Sequence, residues 1–88
     1  MTPEQLLHNV TDRDSFIQFV RAMAAEREAA QEIERQNPIA YGVDGALNWK
    51  NADIASFLYA GLEAIKPSVN EPSWQLFADF LYHGKIIE

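Results

Sequence analysis

The sequence PSWQLFADFLYHGKIIE, residues 72–88, decides the fold class of this chain. Its large side chains recur at the spacing of one helix face, and neighbouring positions widen that face over most of the circumference. The face is formed by Trp74, Phe77, Ala78, Leu81 and Tyr82 and is widened by Leu76, Phe80 and His83. Because a helix that is apolar nearly all round is stable only when other elements surround it, this segment predicts a central helix whose aromatic residues fill the core.

The same segment carries signals for where this helix begins and ends. Pro72 stands at or near its first position, where the missing backbone N–H costs nothing. Gly84 stands where a left-handed residue after the last turn is needed, and Lys85 lies near the negative end of the helix dipole. Ile86 is placed for the apolar contact of a Schellman cap, so we expect the closing isoleucines to fold back onto the helices.

A second clear helix is predicted just upstream. Asn51 can cap it, Asp53 lies in its first turn, and Lys66-Pro67 ends it. One face of this helix is Ile54, Phe57, Leu58, Gly61, Leu62 and Ile65, which match helical spacing throughout. Gly61 in the middle of the face costs about 1 kcal/mol relative to alanine, which predicts that another helix crosses closely there.

Two further helices are predicted in the first half of the chain. Thr2, Pro3 and Gln5 form a start signal for a short helix from about Pro3 to His8. Residues 11–14, TDRD, start a longer helix whose apolar face is Phe16, Phe19, Val20, Met23 and Ala24. Beyond Arg27 the sequence is polar almost all round, so we expect the far half of this helix to project into solvent or fray, until Asn37-Pro38 ends it.

The residues between the second and third helices, from Asn37 to Lys50, form a connection that is long for a compact domain. Tyr41 and Trp49 lie within it, and we expect both to bury most of their rings and to keep a hydrogen-bond partner. The tetrapeptide GVDG at residues 42–45 lacks the basic residue of a phosphate loop and the acids of a calcium site, so it predicts a tight turn.

No segment alternates apolar and polar residues for long enough to indicate a strand. The sequence therefore predicts an all-α fold: a single domain over residues 1–88, with three main helices, a short N-terminal helix and a long loop between helices two and three, where the short helix counts as the first. Orthogonal and bundle-like packings both remain open. A chain of this length can bury one core without disulfides.

Composition excludes several classes of function. Seven basic and thirteen acidic residues give a net charge of −6, which disfavours a nucleic-acid partner. The absence of cysteine excludes disulfides and thiolate metal sites. The N-terminus lacks the pattern of a signal peptide, and no apolar run approaches the length of a membrane span, so we expect a cytoplasmic protein without a membrane partner.

Candidate catalytic and metal-binding residues are few. His8 and His83 are the only histidines, and neither belongs to a ligand motif. Asp79 and His83, four residues apart on a helix, can pair and could orient an imidazole base, although a surface pair is the preferred interpretation. Glu28 and Glu32 are spaced in the same way on a polar helix half, which favours a solvated surface. We predict no catalytic residues, no cofactor and no metal.

Three segments, VTDRDSFIQFV, LNWKNADIASFLYAGLEAI and PSWQLFADFLYHGKIIE, together resemble an uncharacterised family of small bacterial helical proteins, known only as a domain of unknown function. The resemblance covers nearly all of residues 10–88, is most specific at residues 12–16, at Trp49, at residues 72–74 and at residues 84–86, and is poorest over residues 26–41. It implies a helical architecture and carries no activity. Small acidic families of this kind are similar in size and charge to bacterial immunity proteins, which cover the active site of a toxin.

These observations predict a non-enzymatic protein-binding module, in which a basic partner protein would be attracted by the negative charge. The candidate contact residues are Glu28, Glu32, Ile33, Tyr41, Asp44 and Trp49. For Ile33, docking of the following loop is the alternative. A self-associating structural or accessory domain, such as a homodimer, is the alternative function, and an enzyme that uses Asp79 and His83 is a third hypothesis.

Overall fold

The computed structural model describes residues 1–41, 45–68 and 70–87, and these ranges contain helices and no strand. The elements are α1 (Pro3–Leu7), α2 (Arg13–Gln36), α3 (Ile54–Gly61), which continues into a 3₁₀ turn (Leu62–Ala64), and α4 (Trp74–Ile86). The predicted all-α fold is confirmed for this part of the chain. Asp44, one of the candidate contact residues, lies outside the described residues.

The last helix occupies the centre of the fold, as its composition predicts. α4 packs against α1, α2, α3 and the 3₁₀ turn, whereas α3 packs only against α4 and the turn among the described elements. The buried core consists of Leu7, Val10, Phe19, Met23, Ala30, Ala46, Trp49 and Ala78. The expectation that the rings of α4 all fill this core is wrong for Trp74 and Phe77, which are exposed, because α3 covers only one side of α4.

The start signals are confirmed for the first two helices and need correction for the other two. Thr2 forms a capping box with Gln5, and Asp12 caps α2 with Ser15 as its partner. α3 is capped by Asp53 and not by Asn51, whose side-chain amide instead donates to the carbonyl of Gly84 at 2.9 Å. α4 begins after Ser73, whose hydroxyl accepts the N–H of Leu76.

The predicted end of α4 is wrong. Gly84 is helical, and the helix runs on to Ile86, where the N–H of Ile87 donates to the carbonyl of His83 at 2.9 Å. Glycine is needed at residue 84 for space and not for a left-handed conformation, since an added Cβ would lie 2.8 Å from the Phe57 ring. The residue that follows, Lys85, is buried and does not lie at a solvent-exposed helix end.

The close helix crossing predicted at Gly61 is confirmed. An added Cβ would lie 2.8 Å from the backbone oxygen of Phe80 and 2.9 Å from its ring. α3 and α4 therefore approach each other more closely than a larger side chain would allow.

The far half of α2 does not fray. It is helical to Gln36, and Ala30 within it is fully buried. The sequence looks polar there because Glu26, Arg27 and Glu34, which face the rest of the protein, bind other polar groups instead of packing as apolar residues.

The molecule is flat. Its Cα extents are 42 × 27 × 16 Å, and its radius of gyration is 13.5 Å, against about 12 Å for a compact chain of this length. A 24-residue α2 accounts for the long axis, since a helix of that length spans about 36 Å. The short dimension admits only two helix layers of about 10 Å each, so each helix keeps an outward face.

Candidate functional site

A buried cluster of charges joins the N-terminal helix to the centre of the protein. Lys85 is 1% exposed, and its Nζ lies 2.5 Å from Oε1 of Glu4 and 2.6 Å from Oε1 of Glu26. The indole N–H of Trp49 donates to the same oxygen of Glu26 at 3.0 Å. The Lys85 ammonium also lies 5.8 Å from the ring centres of both Trp49 and Tyr82, within the range of cation–π attraction.

Burial and charge pairing have opposite effects on the pKa values in this cluster. Burial alone would lower the pKa of Lys85, but its hydrogen bonds to Glu26 and Glu4 outweigh burial and raise the pKa above its ordinary value. Burial, the largest single influence, would raise the pKa of Glu4, but the hydrogen bond and charge of Lys85 together with hydrogen bonds near the start of α1 outweigh it, so the pKa is lowered. A lysine held fully charged is a poor nucleophile and base, so the cluster stabilises the fold and is not arranged for catalysis.

A second polar contact fixes the loop before α3. Arg27 and Glu34 form two parallel hydrogen bonds of 2.9 Å, and Glu34 also accepts the backbone N–H of Ala46 at 2.8 Å. The hydrogen bond from Arg27 lowers the pKa of Glu34, further supported by that backbone donor. The guanidinium of Arg27 lies 5.5 Å from the ring centre of Trp49, so this contact also covers the buried indole.

The loop itself makes a tight turn through two residues in the left-handed region. Leu47 has φ 55° and Asn48 has φ 67°, a conformation that asparagine adopts readily and leucine seldom does. The turn is closed by the N–H of Gly45, which donates to the carbonyl of Trp49 at 2.7 Å. It turns the indole of Trp49 inward against the Phe57 ring, with the ring centres 6.2 Å apart.

The most distinctive surface is an exposed apolar area on the outer side of α3, the 3₁₀ turn and α4. We call it the apolar face, and it consists of Phe16, Leu58, Tyr59, Leu62, Ile65, Trp74, Leu76, Phe77, Phe80 and Leu81. Six of these are substantially exposed: Leu58 48%, Tyr59 74%, Leu62 56%, Ile65 40%, Trp74 38% and Phe77 41%. Isolated exposed leucines are ordinary, but a contiguous group of this size indicates a binding surface.

Two adjoining grooves give this face its shape. One, of about 420 Å³, is lined by Phe16, Leu62, Ile65, Leu76, Phe77, Phe80 and Leu81. The other, of about 310 Å³, is lined by Ala55, Leu58, Tyr59, Leu62 and Phe80. Leu62 and Phe80 line both, so Leu62 lies at the middle of the face. No charged side chain lines either groove.

Aromatic packing holds one end of the face in place. The Trp74 ring lies 5.3 Å from that of Phe16 and 5.8 Å from that of Phe77, the second pair edge to face. Phe16 and Phe77 are also packed edge to face at 6.1 Å. These contacts join α2 to the start of α4, so the exposed rings are positioned before any partner binds.

The sequence-predicted contact residues do not form one surface. Glu28 and Glu32 are exposed on the side of α2 opposite to Ala30, and Glu32 is already paired with Arg35 at 2.5 Å. Ile33 packs against the core, and Trp49 is 5% exposed, so its ring faces the interior. Tyr41 is 37% exposed, so it is covered over most of its surface, as expected, but less fully than Trp49.

The proposed Asp79 and His83 pair is absent as a side-chain contact. Nδ1 of His83 lies 2.9 Å from the backbone oxygen of Asp79, while the Asp79 carboxylate accepts from the Gln75 amide at 2.9 Å. The same amide donates to the carbonyl of Leu7 at 2.8 Å, which ties α4 to the end of α1.

Within the described ranges, no group of three or more histidine or acidic side chains could hold a metal ion. None of the described helices has both the length and the apolar character needed to cross a bilayer.

The chain matches no protein-family model, no curated protein and no solved structure.

Sequence reasoning missed the buried cluster, although the sequence contains a signal for it. Glu26 lies three residues after Met23 and seven after Phe19, on the apolar stripe of α2. Lys85 lies four residues after Leu81 on the corresponding stripe of α4. Opposite charges on two core-facing stripes predict a buried ion pair, because neither charge is stable there alone.

Proposed function

We propose that this protein is a non-enzymatic protein-binding module and that it binds through the apolar face of α3, the 3₁₀ turn and α4. The observation that carries the proposal is the exposure of that face, with Tyr59 and Leu62 at its middle. Its substantially exposed residues together present roughly 450–750 Å², taking about 150–250 Å² for a fully exposed large side chain. The largest apolar patch of a typical monomer is about 300–600 Å² and is often functional, so this face is at least as large as such patches.

Two further observations support a binding role. The charged side chains of the two polar contacts, Lys85 with Glu4 and Glu26 and Arg27 with Glu34, are bound to one another. None of them faces the grooves of the apolar face. Geometry of this kind supplies contact area for a partner and places no general acid or base beside it.

The acidic surface of α2 is a less suitable binding site than the apolar face. The Arg35 guanidinium and the Gln36 amide both bind Glu32, so part of the negative charge there is neutralised within the helix. Recognition of a basic partner by Glu28 and Glu32 stays a prediction from the sequence.

The proposal is tested by affinity capture with the wild-type protein and three single variants. Leu62→Asp places a charge at the middle of the apolar face, Ile39→Asp changes an exposed aliphatic residue away from it, and Glu28→Lys reverses a charge on the acidic surface. We expect captured protein to be lost with Leu62→Asp and kept with the other two. Capture should also persist in high salt, since salt screens charge contacts and not apolar ones.

The opposite pattern would contradict the proposal. If Glu28→Lys abolished capture and Leu62→Asp did not, the partner would be bound by the acidic surface of α2. If all three variants still captured the partner protein, the binding site would lie elsewhere on the molecule.

A further inference from the structure

The apolar face has the properties of a contact between identical chains. We propose that it is the interface of a two-fold symmetric homodimer, in which α3, the 3₁₀ turn and α4 of one copy pack against the same elements of a second copy. The inference rests on the proposed protein-binding function and names the partner. It is carried by the area, the composition, the shape and the surrounding charge of the face.

The area is what a stable dimer needs. With its partly exposed members included, the apolar face presents on the order of 800 Å², which is the area that each partner contributes to a standard interface. Burial of so much apolar surface exceeds the requirement of a weak encounter, for which the total is below about 1,200 Å² from both partners.

The composition is that of a permanent interface. Apart from the hydroxyl of Tyr59, the grooves are lined by apolar side chains alone. Interfaces that form and separate are about as polar as the rest of the surface, whereas obligate homodimer interfaces resemble a domain core cut in half. A second copy is the one partner that is present whenever the chain is made.

The large side chains of α3 are not fully covered by the described elements of its own chain. Only Ala60 and Gly61 of α3 are buried, while its large side chains point outward or are half-buried. At eight residues α3 is too short to be stable through its own hydrogen bonds. A second layer of helices would bury Leu58, Tyr59 and Leu62 and complete the packing that α4 provides on one side alone.

The shape of the face suits a second copy. Tyr59 is the most exposed member and helps to line one groove, while Leu62 and Phe80 line both. A two-fold axis near Leu62 would place the Tyr59 side chain of each copy in a groove of the other. One face that carries both a projection and a groove fits an isologous contact.

The charges around the face favour a second copy over a basic amphipathic helix. Next to its members along the chain stand Arg13 and Asp14, Glu63 and Lys66, and Glu71, all exposed, so the charges that flank the face in sequence have both signs. Two copies related by a two-fold axis can place such opposite charges together, whereas a basic helix would need acidic ones. Glu28 and Glu32, part of the acidic surplus, lie on the far half of α2 and leave this face open to approach.

Sedimentation velocity from micromolar to millimolar concentration tests the proposal on the wild type, Leu62→Asp and Ile39→Asp. We expect the wild type and Ile39→Asp to be dimeric and Leu62→Asp to be monomeric with an unchanged far-ultraviolet circular dichroism spectrum. Because a two-fold contact buries two uncompensated carboxylates, the Kd should rise at least about a hundredfold. A dimeric Leu62→Asp would overturn the proposal.

Tryptophan fluorescence of the wild type gives a second test that needs no disruptive variant. Trp74 belongs to the apolar face, and Trp49 is buried in the monomer. We expect acrylamide quenching to fall as protein concentration rises through the Kd, with the whole change absent in Trp74→Phe. Quenching that stays constant would overturn the proposed interface even if another surface formed dimers.

Failure of this inference and failure of the binding function give different results. A wild type that is monomeric at every concentration overturns the homodimer. If that monomer still captured another protein, and lost it with Leu62→Asp but not with Ile39→Asp, the binding function would stand with a different partner. If capture were also unaffected by Leu62→Asp, both would fail.

Discussion

Lys85 shows how one residue can join separate parts of this fold. A buried ammonium is stable only with its charge compensated, and here two carboxylates from α1 and α2 provide the compensation at 2.5 and 2.6 Å. The indole of Trp49 completes the cluster by donating to Glu26. The requirement that all these groups meet fixes the position of α1 and of the loop before α3 against α4.

Lys85→Met should therefore destabilise the protein by about 3 kcal/mol, because it leaves buried carboxylate charge without compensation. The free energy of unfolding, from urea titration followed by circular dichroism, measures the loss. Adding Glu26→Gln should recover part of it, since the second change removes the uncompensated charge.

Arg13→Met is the matched control for this prediction. Arg13 also forms an ion pair, with Asp14 at 3.1 Å, but both side chains are exposed, so the change should stay within about 0.5 kcal/mol. Equal effects of Lys85→Met and Arg13→Met would show that Lys85 is not enclosed in solution.

Gly61 and Gly84 offer a comparison between backbone and side-chain crowding. An added Cβ at residue 61 would meet the backbone oxygen of Phe80, and one at residue 84 would meet the ring of Phe57. A ring can rotate away, whereas a helix backbone must shift as a whole. We expect Gly61→Ala to lower the free energy of unfolding by about 1–3 kcal/mol and Gly84→Ala to lower it less. Urea titration measures both changes. A larger loss with Gly84→Ala would contradict the close α3–α4 crossing.

At the scale of elements, the far half of α2 acts as the support for the following loop. Glu34 binds the Ala46 N–H and Arg27 together, so a carboxylate on the helix takes the place of an apolar docking residue. The loop then carries Trp49 into the core.

Glu34→Gln should release that loop. The amide keeps one acceptor oxygen but loses the charge and one of the two hydrogen bonds from Arg27, which costs about 1–3 kcal/mol for a hydrogen bond to a charged group. Hydrogen exchange at the Ala46 amide should accelerate. Glu32→Gln is the control on the same helix, because the Glu32–Arg35 pair is exposed; similar acceleration with both variants would contradict the specific role of Glu34.

The sequence predicts where the helices lie better than it predicts which elements pack against each of them. The Thr2 cap and the crossing at Gly61 follow from local chemistry, and both are present. Periodicity also places Leu58 and Leu62 correctly on one face. It cannot predict which element covers that face, and none of the described elements covers it. Such information depends on how many helices pack around α3, which is a property of the whole fold.

The candidate site was missed for the same reason. Apart from Ile33, the contact residues predicted from the sequence are polar or lie in a long loop, because such positions are often functional. Trp49 in that loop is core, whereas Trp74 in the central helix is exposed. α4 is apolar almost all round, and α3 is apolar along a full face. The chain therefore has more apolar surface than two layers of helices can bury.

At the scale of the whole molecule, the division of charge and apolar surface follows from the flat shape. The acids Glu4, Glu26 and Glu34 are bound inside contacts between elements, while the apolar face lies on the outer side of α3 and α4. The net charge of −6 therefore opposes contact at that face only weakly, since exposed charges are screened within about 8 Å at physiological salt.

The same arrangement predicts how stability depends on pH. Glu4 and Glu34 have pKa values below their ordinary 4.5, so each favours the folded state above that value, and the contribution is lost as pH falls through the folded pKa. Lys85 has a pKa above its ordinary 10.5, so its contribution is present below that value and is lost as pH rises through the folded pKa. Burial and the nearby Glu4 carboxylate raise the pKa of Tyr82, which adds to the alkaline loss.

We therefore expect the free energy of unfolding to be nearly constant between pH 4.5 and 10.0, the ordinary pKa values of glutamate and tyrosine, and to fall on both sides. Glu34→Gln should remove its share of the acid loss and leave the alkaline side unchanged, because Glu34 belongs to the Arg27 contact and not to the Lys85 cluster. Urea titrations across the pH range measure both limbs. An alkaline limb altered by Glu34→Gln would mean that the two polar contacts are coupled through the Trp49 indole, which lies beside Arg27 and Lys85 alike.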